Sequence, residues 1–251
     1  MKAFINFIFV IFSSSVLAQL PAADTIQTLQ GKLVIQPVFH AAMVLTWNKK
    51  TIYVDPYNGK AGFKGLAAPD LILITDIHPD HLDLQTLNDI DTKKATFIVT
   101  QAVAEKMPAL LKKKVIILAN DKSTTQQGIT FKAVAMYNYP EQPDAMHIKG
   151  RGNGYVFNLG GQNIYISGDT GGTPEMLSLK NIDIAFVCMN MPYTMDVANA
   201  ARAVLEFKPK IVYPYHYRGR DQMSDTELFK NSVQSANKNI EVRLRNWYSV
   251  N

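Results

Sequence analysis

The sequence is poor in cysteine, poor in histidine and free of concentrated positive charge, and each scarcity excludes something. Cys188 is the single cysteine among 251 residues. No intrachain disulfide can form, and no thiolate-rich structural zinc site can be built. Cys188 lies in "IDIAFVCMNMP", an apolar run that reads as a buried strand, so its expected role is that of a small core residue. The 26 basic residues outnumber the 21 acidic ones for a net charge of +5, but they are dispersed, and Lys112 to Lys114 is the longest basic run. That pattern lacks the basic stripe of a nucleic-acid-binding surface, so no nucleic acid is expected among the partners. Repeats, linkers and low-complexity segments are also missing beyond the N-terminus. After Phe12 no run is long and apolar enough to cross a membrane.

The first residues, "MKAFINFIFVIFSSSVLAQ", are of a different kind. Lys2 precedes an apolar stretch from Ala3 to Phe12, and small residues follow. Val16 and Ala18 satisfy the small-residue rule for a signal peptidase, with cleavage before Gln19. The expectation is a signal peptide over 1–18 and one domain over 19–251. The mature chain is then exported, to a bacterial periplasm or beyond, with no stable membrane span.

Hydrophobic patterning in the remainder predicts many strands with interspersed helices. "GKLVIQPVFH", "AAMVLTW" and "KTIYVDP" read as three strands, with a hairpin turn at Asn48 to Lys50. "LILIT", "ATFIVT", "KKVIIL" and "GITFKAVAMY" continue the series, with "AVAEKMPALL" as a helix among them. "GNGYVFNLGGQNIYIS" reads as a hairpin turning at Gly160 and Gly161. Thr173 and Pro174 open a helix as N-cap and first helical residue. In "MDVANAARAVLEFKP", Val197, Ala200, Ala201, Val204 and Leu205 share one helical face. Ser224 and Glu227 have capping-box spacing for a later helix, and "IEVRLRNW" reads as a final strand. The fold class expected is α+β, with two sheets face to face and helices outside. A doubly wound sheet would need stricter alternation of strand and helix.

Only five histidines are present, and the chemistry gathers around them at predicted strand ends. Asp76, His78, Asp80 and His81 follow "LILIT". His147 follows the strand ending near Tyr137, Asp169 follows "NIYIS", and His216 follows "KIVYPY". Imidazole with carboxylate is a ligand set for zinc, manganese or iron, and without cysteine it suits an open catalytic site. Asp83 can cap a helix at Leu84 or hold a ligand from behind. Asp55 in "YVDP" is expected to tie backbone groups at a strand end.

The stretch "TDIHPDHLD" resembles the H-x-H-x-D-H signature of the metallo-β-lactamase superfamily, and "SGDT" and "PYHY" resemble its later motifs in the same order. The likeness runs from about Gly31 onward. "HAAMVLTWNKKTIYVDP", "GNGYVF" and "MNMPYTM" look most like the branch containing ascorbate-6-phosphate lactonase and N-acyl-phosphatidylethanolamine phospholipase D. The resemblance implies a four-layer αββα sandwich with a binuclear site on its rim. His78 and His147 would hold a first metal, Asp80, His81 and His216 a second, and Asp169 both. Asp76 departs from the signature, standing where its first histidine belongs. It either ligates or leaves the first position weak or empty, and in addition it makes the site more anionic, favouring a harder ion such as manganese.

The resemblance implies two divalent ions, zinc first, with manganese or iron as alternatives. Such a pair acidifies a shared water, whose hydroxide attacks an ester, lactone, amide or phosphodiester. Asp80 or Asp169 would orient it and carry its proton. His40, in "PVFHAAMV", is expected to line the site. Lys149, Arg151 and Tyr193 are candidates for an anionic group on a small-molecule substrate. The alternatives are an iron-dependent oxidoreductase on the same fold, or a periplasmic metal- or ligand-binding protein without turnover. Oligomeric state is not legible.

Overall fold

Apolar residues alternate along some strands and run unbroken through others, and that contrast sets the layers. A computed structural model of the protein describes residues 20–248; the expected signal peptide, 1–18, lies outside them. The first sheet begins as an antiparallel meander of β1 (Asp24–Thr28), β2 (Gly31–Phe39), β3 (Ala42–Trp47) and β4 (Lys50–Val54). It continues in parallel through β5 (Leu71–Leu73), the helix α1 (Leu84–Asp89), β6 (Thr96–Val99), helices α2 (Gln101–Lys106) and α3 (Ala109–Lys112), and β7 (Val115–Ile117). The second sheet repeats the plan. β8 (Ser123–Gln126), β9 (Ile129–Met136), β10 (Gly152–Leu159) and β11 (Gln162–Ile166) are antiparallel. Then α4 (Pro174–Leu177), β12 (Ile184–Cys188), α5 (Val197–Phe207), β13 (Ile211–Tyr215), α6 (Thr226–Ala236) and β14 (Glu241–Val242) extend it in parallel.

Each sheet has seven strands, so the expected sandwich of two mixed sheets with helices is what forms. β9 buries Ile129, Phe131 and Ala133 while Thr130 and Lys132 face water. β5 and β12 are buried along their whole length, as strands covered on both faces must be. The inner faces meet in one cluster that includes Ile35, Leu45 and Ile52 from the first sheet with Phe157, Ile164 and Phe186 from the second. α5 and α6 add Val204 and Phe229 to it, whereas Leu87 and Val103 of α1 and α2 pack in a separate cluster on the first sheet's outer face.

Several local expectations hold in detail. Asn48 and Lys49 make a two-residue turn with positive φ, as do Gly160 and Gly161. Thr173 caps α4, and Asp83 caps α1 by accepting from Gln85 N and Thr86 N. Others are corrected. The helix expected over "AVAEKMPALL" is broken into α2 and α3, because Pro108 pushes Met107 to an extended backbone (ψ 144°). The N-cap of α6 is Asp225, which accepts from Leu228 N; Ser224 instead donates to the Met189 carbonyl. The last strand shortens to Glu241–Val242, since Arg243 and Arg245 turn to meet Asp24. The polar strands β1 and β8 carry too little apolar alternation to be foreseen.

Asp24 binds the two sheets together at that edge. It accepts from the Tyr213 hydroxyl on the opposite sheet (2.6 Å) and pairs with Arg243 (3.1 Å) and Arg245 (2.7 Å). Burial opposes its ionisation, but these donors and the Thr25 amide hold its carboxyl below the ordinary 3.8. Replacing Asp24 with Asn should lower unfolding free energy by about 1.5–3 kcal/mol at pH 7, the range for hydrogen bonds to a charged group. A depressed pKa contributes stability above the unfolded value that is lost as pH falls through the folded one. In urea unfolding, the gap between wild type and Asp24→Asn should therefore narrow below about pH 4.

Candidate metal centre

The rim of the sandwich is where strands end and the chain turns sharply. Asp55 follows β4, the stretch Asp76–His81 follows β5, Asp169 follows β11 and His216 follows β13. These strands end at the rim of an α/β-type scaffold, where functional groups are held on rigid supports. Three of the turning residues, His40 (φ 50°), Asp55 (φ 42°) and His216 (φ 46°), adopt left-handed backbone without being glycine. Such conformations cost energy and persist where surrounding contacts over-determine them. Gly168 (φ 62°) makes the turn that delivers Asp169. A Cβ there would strike Met136 Sδ at 2.5 Å and Thr75 Cβ at 3.1 Å.

The structure brings Asp76, His78, Asp80, His81, His147, Asp169 and His216 into one cluster. Asp169 is its hub. Its Oδ2 lies 3.4 Å from His81 Nε2 and 3.4 Å from His147 Nε2, and its Oδ1 lies 3.4 Å from His216 Nε2. Asp80, at the mouth, stands 3.3 Å from His216 Nε2 and 3.9 Å from His81 Nε2. On the other side, His78 Nδ1 is 2.8 Å from Asp76 Oδ2, and His147 Nε2 is 3.8 Å from the same atom. Ligand atoms of Asp76, His78 and His147 lie within 4.8 Å of one another, as do those of His81, Asp169 and His216, and those of His40, Asp80 and His216.

This donor set fits metal. His81 Nε2, His147 Nε2 and Asp169 Oδ1 are buried without a hydrogen-bond partner among the described residues, although each is close to another polar atom. Their 3.4 Å contacts do not have hydrogen-bond geometry. Ligands about 2.0–2.1 Å from a tetrahedral ion stand about 3.4 Å apart, the spacing found here. His216 differs in that its Nδ1 is the unpartnered atom. The far nitrogens of two of the rings are fixed from behind. His81 Nδ1 meets Asp55 Oδ2 at 2.8 Å and Thr75 Oγ1 at 3.0 Å, and His147 Nδ1 meets Asn138 Oδ1 at 3.2 Å. A carboxylate or amide oxygen there keeps the proton on Nδ1 and presents the Nε2 lone pair to the site.

Electrostatically the cluster calls for added positive charge. Burial alone would raise the pKa of Asp169, but His216 and His81 hold it well below the carboxylate range. Burial would depress His81, yet Asp169, Asp55 and Asp80 push it well above its ordinary value. His216 is moved to about 9, against burial, chiefly by Asp169.

The other candidates are placed variously. His40 stacks edge-on to His216 (5.1 Å between centroids) and its Nδ1 meets the Tyr248 hydroxyl at 3.1 Å. Burial, with His216 beside it, lowers its pKa to about 4, so it is a neutral imidazole. Lys149 turns to Glu175 (2.6 Å). Tyr193 lines a groove of about 940 Å³ that includes Asn138, the residue behind His147, but none of the clustered histidines and aspartates. Arg151, expected to face an anionic substrate group, is turned onto Asp76 instead: Nε to Oδ1 and Nη2 to Oδ2, both 3.1 Å. That fork sets a cation against the negative charge that Asp76 adds to the site. Sequence reasoning missed the orienting roles of Thr75, Asn138 and Tyr248, for which no local pattern exists. It assigned Asp55 to backbone, where it does accept from Thr75 N (2.7 Å), but missed its hold on His81.

Residues 34–216 match the sequence model of the β-lactamase superfamily domain. The chain belongs to the metallo-β-lactamase superfamily. Within it, the chain is 30% identical over 207 residues to a UPF0173 metal-dependent hydrolase of Pyrococcus abyssi, covering 77% of this chain and 89% of that one. A metal-dependent hydrolase of Lysinibacillus sphaericus from the same group is 29% identical over 80% of this chain and 92% of its own length. A solved structure described as that of a metal-dependent hydrolase from Parabacteroides distasonis superposes with a TM-score of 0.78 at 34% identity, over 90% of this chain and 98% of that chain. The protein is thus a metal-dependent hydrolase of this superfamily. The variant Asp55→Asn should weaken metal binding roughly 10–100-fold by releasing His81, as measured by competition with a chromophoric chelator. His81→Ala and Asp169→Ala should each sharply lower the metal content of purified protein; unchanged stoichiometry in both would remove the cluster from consideration.

Proposed function

We propose that the protein hydrolyses an ester, lactone, amide or phosphodiester of small-molecule size, with the rim cluster as its metal-dependent centre. The observation that carries this reading is that His81 Nε2, His147 Nε2 and Asp169 Oδ1 are buried and unpartnered, with both imidazole nitrogens 3.4 Å from the Asp169 carboxylate. Asp80, His81, Asp169 and His216 would hold one divalent ion, and His78 and His147, with Asp169 and Asp76 beside them, a second. Zinc suits the imidazoles; manganese or iron suits the carboxylates. The chemistry a bound divalent ion supplies there is Lewis acidity, polarising a substrate oxygen and acidifying water.

The remaining work falls to the chain's own side chains. Asp80 is the carboxylate at the mouth, about one-third exposed, whereas Asp169 is almost wholly buried. Asp80 is therefore the group placed to accept a proton from attacking water and return it to a leaving group. Against burial, His81 and His216 keep Asp80 ionised, which suits the accepting role. His40, neutral and beside His216, can hydrogen-bond a substrate group on that side. The groove beyond Asn138 holds the rest of the substrate, with Tyr193 and Arg220 on its wall. The resemblance to the lactonase and phospholipase D branch favours a lactone or phosphodiester within this set.

The test is reconstitution. Chelator-stripped protein should lose hydrolysis across a panel of lactones, phosphodiesters, carboxylic esters and amides. It should regain at least one activity on reloading with zinc, manganese or iron, without oxygen consumption. Asp80→Asn should lower kcat for that substrate by about 100–10,000-fold, the scale of acid–base catalysis. Tight metal binding with no turnover on the whole panel would favour a binding protein, and metal-dependent oxygen uptake an oxidoreductase.

A further inference from the structure

The two halves of the cluster are not electrostatically alike. In the half formed by Asp80, His81, Asp169 and His216, the ionisable partners of the carboxylates are imidazoles; among the described residues no lysine or arginine pairs with Asp80 or Asp169. In the half formed by Asp76, His78 and His147, Asp76 already has a cation. Arg151 lies across both of its oxygens at 3.1 Å, in the bidentate geometry that makes Arg–carboxylate pairs strong and specific. Oδ2 also contacts His78 Nδ1 at 2.8 Å.

The fork is anchored. Arg151 Nη2 donates a further hydrogen bond to the Met146 carbonyl (2.6 Å), and the Arg151 carbonyl accepts from the Thr100 hydroxyl (2.7 Å). The Asp76 side chain has no exposure and that of Arg151 only 16%. Separating a pair so buried leaves a desolvated charge, which is costly. A cation seated beside Asp76 would have to share that carboxylate with a guanidinium that cannot withdraw, and would meet its repulsion.

We propose that the two metal positions fill unequally. The Asp80–His81–Asp169–His216 position takes the first ion tightly, and Arg151, acting through Asp76, holds the Asp76–His78–His147 position to a weaker, exchangeable second ion. Arg151 is here a positioning residue of the metal centre, and the inference rests on reading the cluster as such a centre.

Isothermal titration of metal-free protein with zinc tests it. Two steps are expected, the second about 10–100-fold weaker, the size of an outer-shell effect on metal affinity. Arg151→Met keeps the bulk and removes the fork; it should tighten the second step about tenfold or more while leaving the first within about twofold. Its metal-free form should lose thermal stability, because Asp76 is left buried and unpaired, and regain it on adding zinc. His78→Ala should abolish the second step alone, and His81→Ala the first. Two equal steps in wild type, loss of the first step in His78→Ala, or a folded Arg151→Met with an unchanged second step would each overturn the inference while leaving the metal centre intact. If Arg151→Met does not fold, the wild-type steps and His78→Ala still decide. No zinc binding by wild type would overturn the metal-centre reading and this inference together.

Discussion

Burying ionisable groups between two sheets is the constraint on which the rest of the site depends. Asp55, Asp76, His81 and His216 are at most 1% exposed, and Asp169 3%. A lone charge in such a place would be prohibitive, so each must be paired or hydrogen-bonded. The pairing extends outward in shells. Asp169 is surrounded by three imidazoles, two of those imidazoles are held by Asp55 and Asn138, and Asp55 is itself bonded to Thr75. What the shells leave over is a set of lone pairs directed inward, which only added positive charge can satisfy.

The backbone serves the same end. Parallel strands deliver side chains to one rim, but a strand running straight would carry them past it. Left-handed residues at Asp55 and His216, and the turn at Gly168, reverse the chain immediately after β4, β13 and β11. Asp55, Asp169 and His216 are thereby set close to strand ends, while His147 comes from the longer connection between β9 and β10. Gly168 has an added reason to lack a side chain, since Met136 and Thr75 occupy the space a Cβ would need. Packing beneath the rim and geometry on the rim are one problem, solved together.

Much of this was legible in the sequence because it is local. Two histidines and two aspartates within Asp76–His81, at the end of an apolar run, are a short-range signal, and the buried strands and α5 announce themselves by periodicity. What was illegible depends on partners far along the chain. Asp55 and His81 are 26 residues apart, and Asp76 and Arg151 are 75 apart. Arg151, next to a Gly-rich turn, has the local look of a surface cation, and only the approach of β10 to β5 turns it inward. β1 and β8 escaped for a different reason: they are polar edge strands whose pairing is decided by neighbours.

Asp76 illustrates how such a substitution is accommodated. A carboxylate in place of an imidazole adds a buried negative charge, which calls for a counter-ion fixed in the fold. Arg151 meets that need from the loop that also carries His147, four residues earlier, so the ring and the guanidinium flank the same carboxylate. Because Asp76 is neutralised by Arg151, the charge available to a bound cation is concentrated at Asp80 and Asp169. Asp80, the more exposed of the two, then stands where charge, access and proton transfer coincide.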